Sequence, residues 1–278
     1  MLIDALRAEF WRLLHHRAAL VWGFAFLPVV ILVGLMATAI WARANGILVD
    51  NMESMNALDL PLSTLEHLPG PWLMFFSLIG AANMFAADYR FETWRLTVPR
   101  NARALIIVAR LTVFAAAVLA SIAAILLAQF LGTVFALMLA GTAPSLSAPE
   151  LVATNLASLV GLGIWRLLQF SLIVLLVAIL TRSIMAAVLL PLLFLGIEYT
   201  LIGMMGTGAA NPDWRSALAL PTLAFNILSA HAQSIAAAPG SVVGTGAVSK
   251  ALVSMGLWTL GPLALALTLF QRQTLSRE

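Results

Sequence analysis

Cysteine is absent from the sequence. That excludes disulfides, cysteine-ligated zinc and iron–sulfur centres, and says nothing certain about compartment. Charge is scarce too. Charged residues make up 10% of the 278 residues, against about 25% in a soluble domain. They are too few to cover a water-soluble surface of this size. Lysine occurs once, at Lys250. A phosphate-cradling loop needs glycine directly before its lysine and Ser or Thr after it. Here Ser249 precedes Lys250 and Ala251 follows it, so this chain does not hydrolyse ATP by itself. The histidines are His15, His16, His67 and His231. His15 and His16 point about 100° apart on a helix and form no i, i+4 metal pair. Neither histidine nor aspartate falls at mid-depth of an apolar run, which argues against intramembrane proteolysis.

What is present is apolar. Hydrophobic residues are 62% of the chain, and mean hydropathy is +1.00. Lipid is the solvent that tolerates such a surface. The first turns, Leu2–Arg17, are amphipathic at helical period. Leu2, Ile3, Leu6, Phe10, Leu13 and Leu14 share one face, and Asp4, Arg12, His15 and His16 lie away from it. Such a helix lies flat in the membrane interface. The competing reading is a signal peptide with Ala37-Thr38-Ala39 as a small-x-small site. The leader's acids and the spanning length of the next run count against it.

Six apolar runs of roughly spanning length follow, near 19–41, 71–87, 105–139, 156–180, 184–204 and 251–270. Each would cross about 30 Å of hydrocarbon. The third is too long for one simple span, being either tilted and extended or interrupted near Gln129. The second is short. The expected architecture is all-α, one polytopic domain over residues 1–278 with six transmembrane helices. Arg7, Arg12, Arg17, Arg90, Arg95, Arg100, Arg103, Arg110, Arg182, Arg272 and Arg277 fall on one side of it. Only Arg43, Arg215 and Lys250 fall on the other. The positive-inside rule then puts both termini in the cytoplasm of a cell (plasma or inner) membrane. The net charge of +3 belongs to this orientation pattern, not to a nucleic-acid stripe. In the long outer segment 206–250, Leu220–Leu228 is apolar and is expected to lie on or dip into the outer leaflet.

Two charges sit at depth. Arg166 and Glu198 each lie about 22 Å from the same membrane edge at 1.5 Å per residue, which allows a buried pair. The pair either locks two helices together or serves the substrate path. Between the second and third runs stands a short basic, amphipathic stretch, Phe91–Arg103. It holds Phe91, Glu92, Thr93, Trp94, Arg95, Leu96, Pro99, Arg100 and Arg103.

This order of parts resembles the permease subunits of ABC-2-type ABC transporters. In that family an acidic residue, Gly-Thr, a hydrophobic run, Pro, Arg and a later Lys stand between spans two and three. Asp88, Thr93, Trp94, Leu96, Pro99, Arg100 or Arg103, and Arg110 fill those roles here, with Glu92 at the glycine and Arg110 at the lysine. The resemblance implies that residues 91–103 form a coupling helix on a separate ATPase subunit. It implies that residues 1–18 are an interfacial elbow helix. It implies a second permease copy or relative, and ATP and Mg bound by the partner with no cofactor in this chain. An ion-coupled secondary transporter with Glu198 as proton carrier, or a membrane scaffold without transport, are the alternatives.

Overall fold

The structure, a computed structural model, describes residues 2–47, 56–91, 103–146, 153–205, 212–237 and 245–273. The described residues form helices and no strand. An isolated bridge joins Asn56 to Ser145. Helix α1 is Leu2–His15. His16 ends it and caps the next helix, its Nδ1 accepting from Ala19 N at 3.1 Å. Helix α2, Arg17–Leu20, passes through a π-helical turn, Val21–Ala25, into α3, Phe26–Ala44. Then come α4, Asp59–Glu66, α5, Pro71–Phe91, and α6, Arg103–Ala140. The second half holds α7, Ala153–Thr181, α8, Ile184–Met205, α9, Trp214–Ala219, α10, Pro221–Ala237, and α11, Thr245–Arg272.

Five of these segments are each long and apolar enough to cross a bilayer: 17–44, 104–140, 156–181, 184–205 and 246–272. The chain is therefore a multi-pass membrane protein. α4 and α5 meet the same measure only as a pair, bent by 66°. α6 is one unbroken helix of 38 residues, so the long third run is not interrupted at Gln129. At about 1.5 Å per residue it spans about 57 Å, well beyond the roughly 30 Å of hydrocarbon.

Contacts show the direction of each helix. Ser121 Oγ donates to Phe24 O at 2.8 Å, and Gly132 lies against Leu35. Both pairs are offset by the same number of residues, so α3 and α6 run parallel. Phe26 meets Phe76 and Gly23 meets Gly80, so α5 returns against them. A Cβ on Gly23 would stand 2.5 Å from Gly80 Cα. Only glycine lets the π-turn and α5 approach so closely. Phe170 meets Phe194 and Arg166 meets Glu198, so α7 and α8 are antiparallel. Arg182, at φ 53°, turns the chain between them. The end of α5, that turn and the end of α11 meet where Gln273 accepts from Arg182 Nε at 3.0 Å and donates to Tyr89 Oη at 3.0 Å.

Helix α7 is the central one, with the largest buried share of any spanning segment. α8 and α11 turn Leu189, Leu193, Ile197, Leu257 and Leu260 outward, as a lipid-facing surface requires. The outer apolar segment differs from expectation. It is a 17-residue helix, α10, and not a short surface piece. Leu223, Ala224, Ile227 and Leu228 form a stripe buried against Ala247, Ala251 and Met255 of α11. Apolar residues at this spacing bury one whole helix face, and a neighbouring helix receives it. In α1 the inward stripe is Ala5, Glu9 and Leu13, while Ile3, Phe10, Trp11 and Leu14 point out. The side of α1 against the bundle is thus partly ionic, with Leu6 and Leu13 packed on the core beside the charges and Ile3 and Trp11 exposed.

Candidate functional site

At mid-height of the bundle, α7, α8 and α10 bring three polar side chains together. Arg166, Glu198 and Thr222 are 2%, 0% and 1% exposed. Thr222 is the second residue of α10, after Pro221. Proline suits the first helical position, and the first N–H groups of a helix have no intrahelical acceptor. Glu198 supplies the acceptor from another helix. Its Oε1 takes Thr222 N–H at 2.9 Å, and its Oε2 takes the Thr222 hydroxyl at 2.8 Å. A carboxylate here is also favoured by the helix dipole.

Arg166 approaches Glu198 Oε2 at 3.5 Å. It donates to the Thr222 hydroxyl and, through Nη1, to Gln169 Oε1 at 2.6 Å. Gln169 lies about one turn further on the same helix, so the pair shares a face. The guanidinium stacks 4.4 Å from the Phe170 ring and 5.9 Å from Phe225, an arrangement favoured by the ring quadrupole. The Gln169 Nε2 amide, on a residue with 0% exposure, has no hydrogen-bond partner. Beside this group opens a cavity of about 430 Å³. Leu192, Leu195, Gly196 and Tyr199 of α8 form one wall, at helical spacing, with Trp72 and Phe75 of α5 opposite. Arg166 is the charged residue in its lining.

A second buried ionic group ties α1 to the bundle. Asp88, near the end of α5, is 0% exposed, and Arg110 of α6 is 1% exposed. Asp88 Oδ2 accepts from Arg110 Nη2 and from Arg12 Nη1 at 2.8 Å, and Oδ1 accepts from Arg12 Nη2. Arg110 Nε donates to Glu9 Oε1 at 3.0 Å, and Nη1 to Met84 O at 3.3 Å. Among the described residues, two acids and two bases thus meet in one group. Burial works against the Arg12 charge, but the hydrogen bond and the charge of Asp88 outweigh it and hold its pKa above the ordinary value.

The structure brings Arg166 and Glu198 together, and it adds Thr222 and Gln169, which sequence reasoning missed. A Leu-Pro-Thr start to an apolar helix at 220–222 was the available signal. Glu9 and Arg12 were missed as partners of Asp88 and Arg110, since nothing local joins residues 76 and 101 positions apart. Of the coupling stretch, Phe91 ends α5 and Arg103 begins α6. Glu92, Thr93, Trp94, Arg95, Leu96, Pro99 and Arg100 lie outside the described residues. Among the described residues no group of His, Asp or Glu could hold a metal ion. Lys250 donates to Pro212 O at 2.9 Å beside the Trp214 ring. No protein-family model, curated protein or solved structure matches the chain at a significant level.

Proposed function

We propose that this chain is the membrane-spanning permease subunit of an ATP-driven exporter of the ABC-2 type, driven by a separate ATPase subunit. The observation that carries the reading is the ionic group Glu9–Arg12–Asp88–Arg110. Asp88 and Arg110 stand on the two helices that bracket residues 92–102, and α1 is bound to both. One buried network thus joins α1 to the two helices that flank that stretch. A push on it is delivered to α5, α6 and α1 together. The length of α6, about 57 Å, leaves it long enough to project past the bilayer toward a partner.

In this reading residues 91–103 form the coupling helix, with Trp94 and Leu96 as apolar anchors and Arg95, Arg100 and Arg103 at the rim. α1 is the interfacial elbow. Six crossings, the sixth supplied by the bent α4–α5 pair, put both termini in the cytoplasm. Two such permeases, identical or related, enclose one path. The partner ATPase binds ATP and Mg, and its closure rocks the helices between two states. A proton-carrying Glu198 is the weaker alternative, because the carboxylate would have to give up its contacts to Thr222 and Arg166.

The test is copurification. Trp94→Ala is expected to lower recovery of the ATPase subunit and substrate-stimulated hydrolysis, with membrane yield unchanged. Full copurification and transport by Trp94→Ala would remove the coupling assignment. A triple Arg95/Arg100/Arg103 substitution beside it reads topology. If only the triple change has an effect, residues 91–103 merely orient the chain.

A further inference from the structure

The cavity beside Arg166 has one charged corner and an apolar body. Its walls are Trp72 and Phe75 on α5 and Leu195, Gly196 and Tyr199 on α8. Trp72 and Tyr199 are 68% and 58% exposed, so the cavity opens sideways on the bundle surface, where lipid lies. Its corner is the Arg166 guanidinium. Glu198 does not use that guanidinium fully. Its two short bonds come from Thr222, and its approach to Arg166 is a single one at 3.5 Å. A guanidinium forks onto a carboxylate or phosphate through two parallel bonds when the geometry allows, and here the fork is not filled by Glu198. A buried guanidinium whose hydrogen bonds go to two neutral acceptors, Gln169 Oε1 and the Thr222 hydroxyl, and whose carboxylate neighbour stands 3.5 Å away, at the head of an apolar slot, matches a ligand with acceptor oxygens at one end and hydrocarbon at the other.

We infer that this lateral cavity binds a single-chain anionic amphiphile, its phosphate or carboxylate head received by Arg166 and its hydrocarbon lying between α5 and α8. Regarding that amphiphile as the transported substrate rests on the permease reading. The binding itself does not.

The structure supplies a clean blocking variant. A Cβ on Gly196 meets no heavy atom within 4 Å, so Gly196→Phe enters the slot without a clash at its first carbon. Leu192→Trp, one turn away in the same wall, repeats the blockade independently. The full chain, without an ATPase partner, is placed in phosphatidylcholine nanodiscs, and saturable binding of radiolabelled dodecyl phosphate is measured. Dodecanol, dodecanoate and inorganic phosphate are the competitors. Dodecyl phosphate is expected to bind at least tenfold tighter than dodecanol. Dodecanoate should compete and inorganic phosphate should not. Gly196→Phe and Leu192→Trp should each weaken binding tenfold or more, with melting temperature and ATPase copurification retained. Equal affinity for dodecanol would remove the role of Arg166. Competition by inorganic phosphate alone would remove the role of the hydrocarbon. Unchanged binding in both blocking variants would move the site elsewhere. Loss of ATPase copurification by Trp94→Ala is a separate readout, so either reading can fail alone.

Discussion

The two buried ionic groups differ in how completely they close. Around Asp88, two carboxylates meet two guanidiniums among the described residues, and Asp88 takes bonds from both arginines through both oxygens. Around Glu198, one carboxylate faces one guanidinium at 3.5 Å, with a threonine hydroxyl between them and an amide left over. The first group sits where α1 crosses the ends of α5 and α6. The second lies mid-bundle beside an open cavity. Charges are expensive in such surroundings unless paired and hydrogen-bonded. A closed group therefore reads as a fastening. One whose single carboxylate engages its guanidinium only at 3.5 Å, next to open space, has capacity for a ligand.

The comparison is most severely tested at Asp88. Asp88→Ala leaves two arginines with one carboxylate, and removing one partner of a buried pair costs about 3–5 kcal/mol. Unfolding in mixed micelles should show at least that loss, and α1 should become open to proteolysis at Arg7 and Arg12. If α1 stays protected, the fastening does not depend on Asp88.

Glu198 should be more forgiving. Glu198→Gln keeps an acceptor for Thr222 N–H and loses the negative charge, for which about 1–3 kcal/mol is expected. Arg166→Met strands the carboxylate and should cost more than Glu198→Gln. The double change should recover part of the sum, because neither charge is then left alone. Strictly additive losses would show that the two do not stabilise each other.

The smallest effect is expected at Arg12. Its side chain is 32% exposed, so water replaces some of what it loses. Arg12→Gln loses two charged hydrogen bonds to Asp88, which partial exposure to water discounts to about 1–2 kcal/mol. A loss as large as that of Asp88→Ala would mean that Arg12, not Arg110, is the main partner of Asp88.

Much of the architecture was legible because it depends on local patterns. Apolar runs of spanning length predicted the long helices to within about six residues at each end, from the expected 184–204 against the observed Ile184–Met205 to the expected 251–270 against Thr245–Arg272. Helix α10 was legible only in part. Leu220–Leu228 reads as apolar, but nothing in that stretch says that Ala247, Ala251 and Met255 will cover it. The depth match of Arg166 and Glu198 followed from counting residues along two antiparallel helices. Thr222 did not, because its own helix was not expected to start inside the bundle. The role of α1 was half legible. Its apolar face was evident, but Glu9 as a buried partner of Arg110 was not.

By itself the sequence determined that this chain lives in lipid, that it does so as helices, and how far along each helix its charges stand. Composition sets the solvent, and the 3.6-residue period and 1.5 Å rise are properties of the backbone alone. Only the tertiary structure decided which acid meets which base and where a cavity is left. Glu9 and Arg110 stand 101 positions apart, and Arg166 and Thr222 stand 56 apart. Such meetings depend on how each helix is rotated about its axis and which neighbours it packs against, and both are settled by the fit of whole helix faces to each other.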